Sequence, residues 1–309
     1  MVSNESLIMK RIKYLFLFGA VVGGFMFCGI AGATTISPTK IEASLNPGQV
    51  GKYSMTLYNE TKEDLYLDGS VELFEPKGDE GQAQTVSGSQ DKILSWLKLP
   101  TPSLVLKPGE YKNVPLIIEV PKDVSVGGYY YAIMWQSGSE PIKSQSQIGI
   151  SSRVGCLVLL DVGGEKNEKL QIIDFKLNKD KKFYSSLPIS FVSHLQNDGN
   201  THLKPKGSII LQNFLGQVVE VVPFNDKDFN ILPKTVRKFD SVWKDKNNSW
   251  IAGPFSAKLA LEYGDFKIRT ESNKIYFWVI PWKWVIGFII AIAIVIILIY
   301  ILKRKKNNR

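Results

Sequence analysis

The densest recognition chemistry in the chain is a run of aromatic residues: Tyr129, Tyr130, Tyr131 and Trp135. Aromatic faces stack on sugar C–H bonds and on protein surfaces, and tyrosine gains contact area at low rotamer cost. On a strand, Tyr129, Tyr131, Ile133 and Trp135 share one face, and Tyr130, Ala132 and Met134 the other. One face belongs to the core. A flat platform on the other would bind glycan or protein, so these four aromatics are the candidate binding residues. Trp96, Trp243 and Trp250 share the same ambiguity between core and platform.

Catalytic and metal chemistry has fewer carriers. There are 2 histidines. His194 and His202 flank the turn Asn197-Asp198-Gly199-Asn200 and could meet across a hairpin, but no Cys or Glu is spaced to complete a zinc site. Asp226, Asp228 and Asn230 alternate as in a calcium loop. Ile231 stands where the sharp-turn glycine is needed, and no bidentate Glu follows. No nucleophile elbow, zinc-helix motif, phosphate loop or dinucleotide glycine pattern occurs. Leu232-Pro233-Lys234-Thr235 mimics a sorting signal, but it lies mid-chain and runs on into Val236. The reading is a protein that is not an enzyme, with no metal and no cofactor. Cys156, in the apolar run Val154–Val158, reads as a small buried hydrophobe and has no partner for an internal disulfide after residue 33.

The elements that would position these groups are strands. Tyr53, Met55 and Leu57 alternate with polar residues; Leu65, Leu67, Val71 and Leu73 continue with period two, as do Val114, Leu116, Ile118 and Val120. Asn46-Pro47-Gly48-Gln49 and Lys107-Pro108-Gly109-Glu110 suit type II turns, each feeding a strand. Asp91–Leu97 allows one or two helical turns at most. A glycine-rich, charged break at Gly163–Glu168 reads as a linker. A second strand series follows: Leu170–Leu177, Leu187–Leu195, Ser208–Gln212, Val218–Val222, Arg237–Trp243 and Phe255–Tyr263. The fold class is all-β: two tandem immunoglobulin-like β-sandwiches over 34–163 and 164–275.

Both ends read as membrane signals. Lys10, Arg11 and Lys13 precede an apolar run, Tyr14–Ile30, and then Ala31-Gly32-Ala33, which predicts a signal peptide over 1–33. Lys274–Pro281 reads as a membrane-proximal strand or stalk, and residues 276–283 form a juxtamembrane segment, in which Tyr276, Phe277, Trp278 and Trp282, with Trp284, would meet the outer headgroups. Trp284–Leu302 carries no charge and no proline; at 1.5 Å per residue it spans roughly 28 Å, enough for a bilayer's hydrocarbon. The basic tail 303–309 then belongs in the cytoplasm, with the ectodomain outside. The formal charge of +9 dissolves accordingly. From Thr34 to Trp282 there are 29 Lys and Arg against 28 Asp and Glu, a net of +1. Such a surface has no large field for nucleic acid.

Several stretches together resemble the WxL-interacting proteins of bacterial cell surfaces. They are ISPTKIEASLNPGQVGKYSMTLYN and LVLKPGEYKNVPLIIEVPKDVSVGGYYYAIMW in the first half, and LQNDGNTHLKPKGSIILQNFLGQ, ILPKTVRKFDSVW and GPFSAKLALEYGD in the second. The resemblance implies a signal peptide, two immunoglobulin-like domains, a single-pass anchor and a basic tail. It also implies peptidoglycan binding by the first domain, host-protein binding by the second, and partners bearing a Trp-x-Leu motif. None of the 7 tryptophans here stands in such a motif, which suits a partner of those proteins. The expected function is a membrane-anchored cell-surface binding or adhesion protein that engages envelope proteins or peptidoglycan. The alternative is a membrane-tethered assembly chaperone acting by strand addition.

Overall fold

The computed structural model describes residues 34–86, 92–137, 153–179, 181–244 and 251–307. The predicted signal peptide and Trp250 lie outside them. The chain forms two β-sandwiches followed by one long helix.

Turn chemistry delivers the chain into the first sandwich. Gly48 and Gly109 occupy the second corners of their turns at φ of 82° and 73°, a region open to glycine and closed to most side chains. Backbone bonds of 3.0 Å close both turns, Gln49 N to Asn46 O and Glu110 N to Lys107 O. In each, the side chain after the glycine turns back and accepts from the turn's first amide.

Ten strands make this sandwich: β1 (Thr34–Ser37), β2 (Lys40–Leu45), β3 (Val50–Asn59), β4 (Leu65–Lys77), β5 (Gln82–Val86), β6 (Leu97–Lys98), β7 (Ser103–Leu106), β8 (Tyr111–Glu119), β9 (Gly127–Ser137) and β10 (Arg153–Val162). One sheet runs β1-β3-β8-β6, the other β2-β10-β9-β4-β5, with β7 also on β4. The opening strand is thus divided between the sheets. β1 pairs antiparallel with β3, and β2 pairs parallel with β10, an immunoglobulin-like arrangement. Met55, Leu57, Leu116, Tyr131, Ile133, Trp135 and Leu160 fill the space between the sheets.

The second sandwich holds β11 (Leu170–Leu177), β12 (Phe183–Tyr184), β13 (Ile189–Asn197), β14 (Lys206–Asn213), β15 (Val218–Phe224), β16 (Thr235–Trp243), β17 (Gly253–Tyr263), β18 (Ile268–Glu271) and β19 (Ile275–Val279). Its sheets are β11-β13-β16 and β12-β19-β17-β14-β15, with β18 on β17. Phe191, Trp243, Phe255 and Phe277 pack together in its centre.

Of the strand or stalk that the sequence allows over Lys274–Pro281, the structure forms the strand. Residues 276–279 end β19, paired with β17. Alternation sends Phe277 and Val279 inward, each 1% exposed, and Tyr276 and Trp278 outward. Phe277 therefore belongs to the core and meets no headgroup.

The same side-chain device recurs in both sandwiches. Asn59 ends β3 fully buried. Its amide donates to Glu63 O and Leu106 O, while its oxygen accepts from the Thr61 backbone and hydroxyl. Asn197 ends β13 equally buried, donates to Thr201 O and Ile231 O, and accepts from Gly199 N. Each asparagine substitutes for a missing length of ladder where strand becomes loop.

The predicted linker is clamped rather than slack. Lys166 bridges Asp161 of the first sandwich and Asp265 of the second, at 2.7 and 2.9 Å. Asn167 and Asn200 exchange bonds of 2.9 and 3.1 Å. The last element is α1 (Trp282–Asn307). Its stretch Trp282–Tyr300, of mean hydropathy 2.7 and unburied by the rest of the chain, is long and apolar enough to cross a membrane.

Candidate partner-binding edge

The structure scatters the predicted aromatic platform. Tyr131, Ile133 and Trp135 are fully buried between the sheets of the first sandwich. Tyr131 OH donates to Ile93 O and Trp135 Nε1 to Met55 Sδ. Tyr129, half-buried, packs its ring 4.8 Å from that of Trp96 and donates to Ser125 O. Tyr130 points the other way, but into the second sandwich: it meets Phe74 at 5.8 Å and His202 at 5.9 Å edge to face. Around it Ala132, Met134, Leu157, Leu159 and Leu232 form a small apolar cluster between the sandwiches. Burial pushes the Tyr130 phenol far above its ordinary value. No two of the four aromatics therefore present a shared open face. The reason is that β9 is covered twice, by its own sandwich and by its neighbour, and a strand buried on both faces reads as continuous bulk. Trp243 is likewise core, at 2% exposure.

The two histidines sit in separate environments. His194 Nδ1 lies 2.6 Å from Asp174 Oδ1, and its backbone amide donates to the same oxygen. Its Nε2 is 3.4 Å from Asp79 of the first sandwich. Burial would raise the Asp174 carboxyl, but bonds from Lys176 and His194 outweigh it and hold the group below the usual carboxylate range. His202 is largely enclosed beside Tyr130, and burial lowers its pKa against the opposing charges of Asp161 and Glu42. The calcium-like triplet does not converge. Asp228 pairs with Lys206 at 2.7 Å, and Asn230 donates to Glu42 at 2.7 Å. Among the described residues no three metal-ligating side chains gather.

The accessible geometry lies elsewhere, in unpaired strand edges that composition and periodicity did not reveal. Among the described residues β15 pairs only with β14, and β16 only with β13. Their free edges face each other across a trough of about 730 Å³. Its floor includes Val222, Phe239 and Trp243, all buried core residues. Phe229 lines one end, capped by the Arg237 guanidinium 4.6 Å above its ring. Asp226, Lys227, Lys238, Asp240 and Lys244 form the walls, so the rim carries both signs of charge.

The two edges are not equivalent. On β15, Pro223 offers no amide, and the Val221 amide is taken by the neighbouring Glu220 carboxylate at 3.2 Å. Proline and local capping blunt a strand edge. β16 has no proline over Thr235–Trp243. Lys238 N on that edge donates to Asp79 O, at the tip of the β4–β5 hairpin, at 2.6 Å. Main-chain direction alternates along a strand, so the amides of Asp240 and Val242 point the same way as that of Lys238. No bond to either amide is found among the described residues. β16 thus presents a ladder whose first rung is filled by the chain's own first sandwich. A shorter edge exists on β10: β2 covers it only from Leu157 onward, leaving Arg153–Cys156 with β9 on one side.

No protein-family model matches the sequence, and no curated protein matches it. Solved structures similar to the chain include the class 5 fimbriae chaperone CfaA, at TM-score 0.42 and 14% identity over 81% of this chain and 100% of that one. The Salmonella enterica SafA pilin–SafB chaperone complex is matched at TM-score 0.38 and 9% identity, over 82% of this chain and 99% of that one. The chaperone DraB of E. coli is matched at TM-score 0.36 and 10% identity, over 80% and 96%. Likenesses this distant carry no inference about partners.

Proposed function

We propose that the chain is a membrane-anchored binding protein that holds an extended segment of another envelope protein by strand addition, in the manner of an assembly chaperone. The observation that carries this reading is the free edge of β16 over an apolar floor. Main-chain bonds to a strand edge supply affinity without regard to sequence, and the floor rewards an apolar residue at alternate positions. The rim, with both signs of charge, suits a polypeptide better than a polyanion. Binding of this kind requires no catalytic step. The apolar stretch of α1 and the basic residues Lys303–Lys306 that close it support tethering, with the sandwiches outside the cell.

The test removes one rung. Val242→Pro deletes an outward amide while leaving the β13 ladder intact. A photo-crosslinker at Asp240 in intact cells should form a discrete protein adduct that Val242→Pro abolishes, with the folded ectodomain unchanged by circular dichroism. An adduct that survives the proline places the partner off this edge and sinks the reading.

A second reading rests on the chain-wide resemblance to WxL-interacting proteins, which supports a partner bearing the Trp-x-Leu motif and peptidoglycan contact by the first sandwich. Sedimentation of the ectodomain with purified sacculi separates the two. Pelleting that Val242→Pro leaves untouched favours wall binding, and no pelleting removes it.

A further inference from the structure

The junction between the second sandwich and α1 leaves almost no slack. β19 ends at Val279 and α1 begins at Trp282, so only Ile280 and Pro281 intervene. Both sides of that junction are bonded. Trp278 N donates to Lys182 O, and Ile280 N to Tyr184 O, each at 2.7 Å, on β12 and the residue before it. Trp284 N then donates to Pro281 O at 2.9 Å, opening the helix. The sandwich is therefore joined to the helix as one piece and does not hang from a tether.

This junction encloses a recess of about 670 Å³. Ala252, Gly253 and Trp278 form its wall on the sandwich; Trp284 and Phe288 form its wall on the helix. Trp278 is 46% exposed, and Trp284 and Phe288 are each 69% exposed. Large apolar groups grouped in this way are costly to leave in water.

We infer that the recess is a lipid seat: it takes the upper acyl chain of an outer-leaflet phospholipid and docks the second sandwich on the bilayer. The inference rests on the reading that α1 spans a membrane. Phe288 is six residues past Trp282 and so lies roughly 9 Å along the helix. A span of nineteen residues has to fill most of the hydrocarbon thickness, so Trp284 falls at the boundary between headgroups and chains and Phe288 among the upper segments of the chains. The rigid junction carries Ala252, Gly253 and Trp278 to a similar depth. The occupant is then lipid, because the recess is continuous with the helix surface that lipid already covers.

The experiment uses the full chain in phosphatidylcholine–phosphatidylglycerol nanodiscs, with Cys28 and Cys156 replaced by alanine. An environment-sensitive fluorophore is placed at Ala252→Cys, at Phe266→Cys on the exposed β17–β18 turn at the opposite end of the second sandwich, and at Ile292→Cys within the helix. A lipid seat predicts that the 252 probe is quenched by shallow nitroxide lipid and shielded several-fold from aqueous iodide relative to the 266 probe. If the 252 probe is open to iodide while deep nitroxide quenches the 292 probe, the helix spans but the seat is empty, and the inference falls alone. Shielding at 252 from both iodide and lipid nitroxide means that protein, such as a second copy, fills the recess, which overturns the lipid assignment. If deep nitroxide fails to quench the 292 probe, the membrane anchor and the seat fall together.

Discussion

Single residues decide how tightly the two sandwiches are built and joined. Asn59 and Asn197 each satisfy several buried main-chain groups at a strand end. Truncation to alanine leaves those groups unpaired in the core, at about 1–3 kcal/mol for a group left unsatisfied. Asn59→Ala should therefore lower unfolding free energy by about 2–3 kcal/mol in urea melts of the ectodomain, and Asn59→Asp, which sets a buried carboxylate oxygen against the Glu63 and Leu106 carbonyls, should cost more.

Two titrating groups sit at the joint. Burial would raise Glu42, but bonds from Lys204, Lys40 and Asn230 outweigh it and bring its pKa to about 2 from 4.5. Its folded state binds fewer protons than the unfolded state, so its contribution is complete above pH 4.5 and fades as pH falls toward 2. Glu42→Gln should flatten the pH dependence of stability across that window. His202 has its pKa lowered from 6.5 by burial. Its neutral form is the one that the folded chain prefers, so stability is intact above pH 6.5 and declines below it. Thermal melts of His202→Gln should lose the decline that begins there; an unchanged pH profile would remove His202 from the account.

At the scale of elements, much was legible and one class of feature was not. Period-two patterning placed Leu170–Leu177 as a strand, and the structure has β11 over the same residues. The turns at Asn46–Gln49 and Lys107–Glu110 were read from their proline-glycine pairs, and Gly48 and Gly109 there have φ of 82° and 73°. The possible helical turns near Asp91–Leu97 are a short 3-10 segment, Lys92–Trp96. The alternation of β9 was also read correctly, with Tyr131 and Trp135 on one face and Tyr130 on the other. What the sequence could not say is what covers each face. Tyr130 looked like an exposed platform because the residue that covers it from the second sandwich, His202, lies 72 positions further along the chain. The free edge of β16 was hidden for the same reason. An edge is a property of which strands are absent beside it, and no residue type marks it. Pro223 was the one available sign, since it shows which side of the trough is closed to pairing. At this scale the edge makes a further prediction: hydrogen exchange at the Asp240 and Val242 amides should slow on partner binding, while exchange at Val221 stays as it was.

At the scale of the molecule, the two sandwiches behave as a joined pair. Lys166, Glu42, Asp79 and the Tyr130 cluster all bridge them. The trough begins where the first sandwich touches β16 at Lys238 and runs to Trp243, whose ring packs on Phe255 and Phe277 near the α1 end of the second sandwich. On the reading that α1 spans a membrane, a segment lying on β16 would be held between the first sandwich and the lipid surface. The bonded junction at Ile280 and Pro281 then acquires a mechanical meaning. Traction on such a segment passes through the second sandwich into β19 and on to α1 without a compliant spacer. β19 lies between β12 and β17, so load along its axis stretches both sets of rungs together instead of peeling them one at a time. On that reading, an anchor wired in this way would resist drag at the cell surface as a stiff post does, and would transmit it directly to the bilayer.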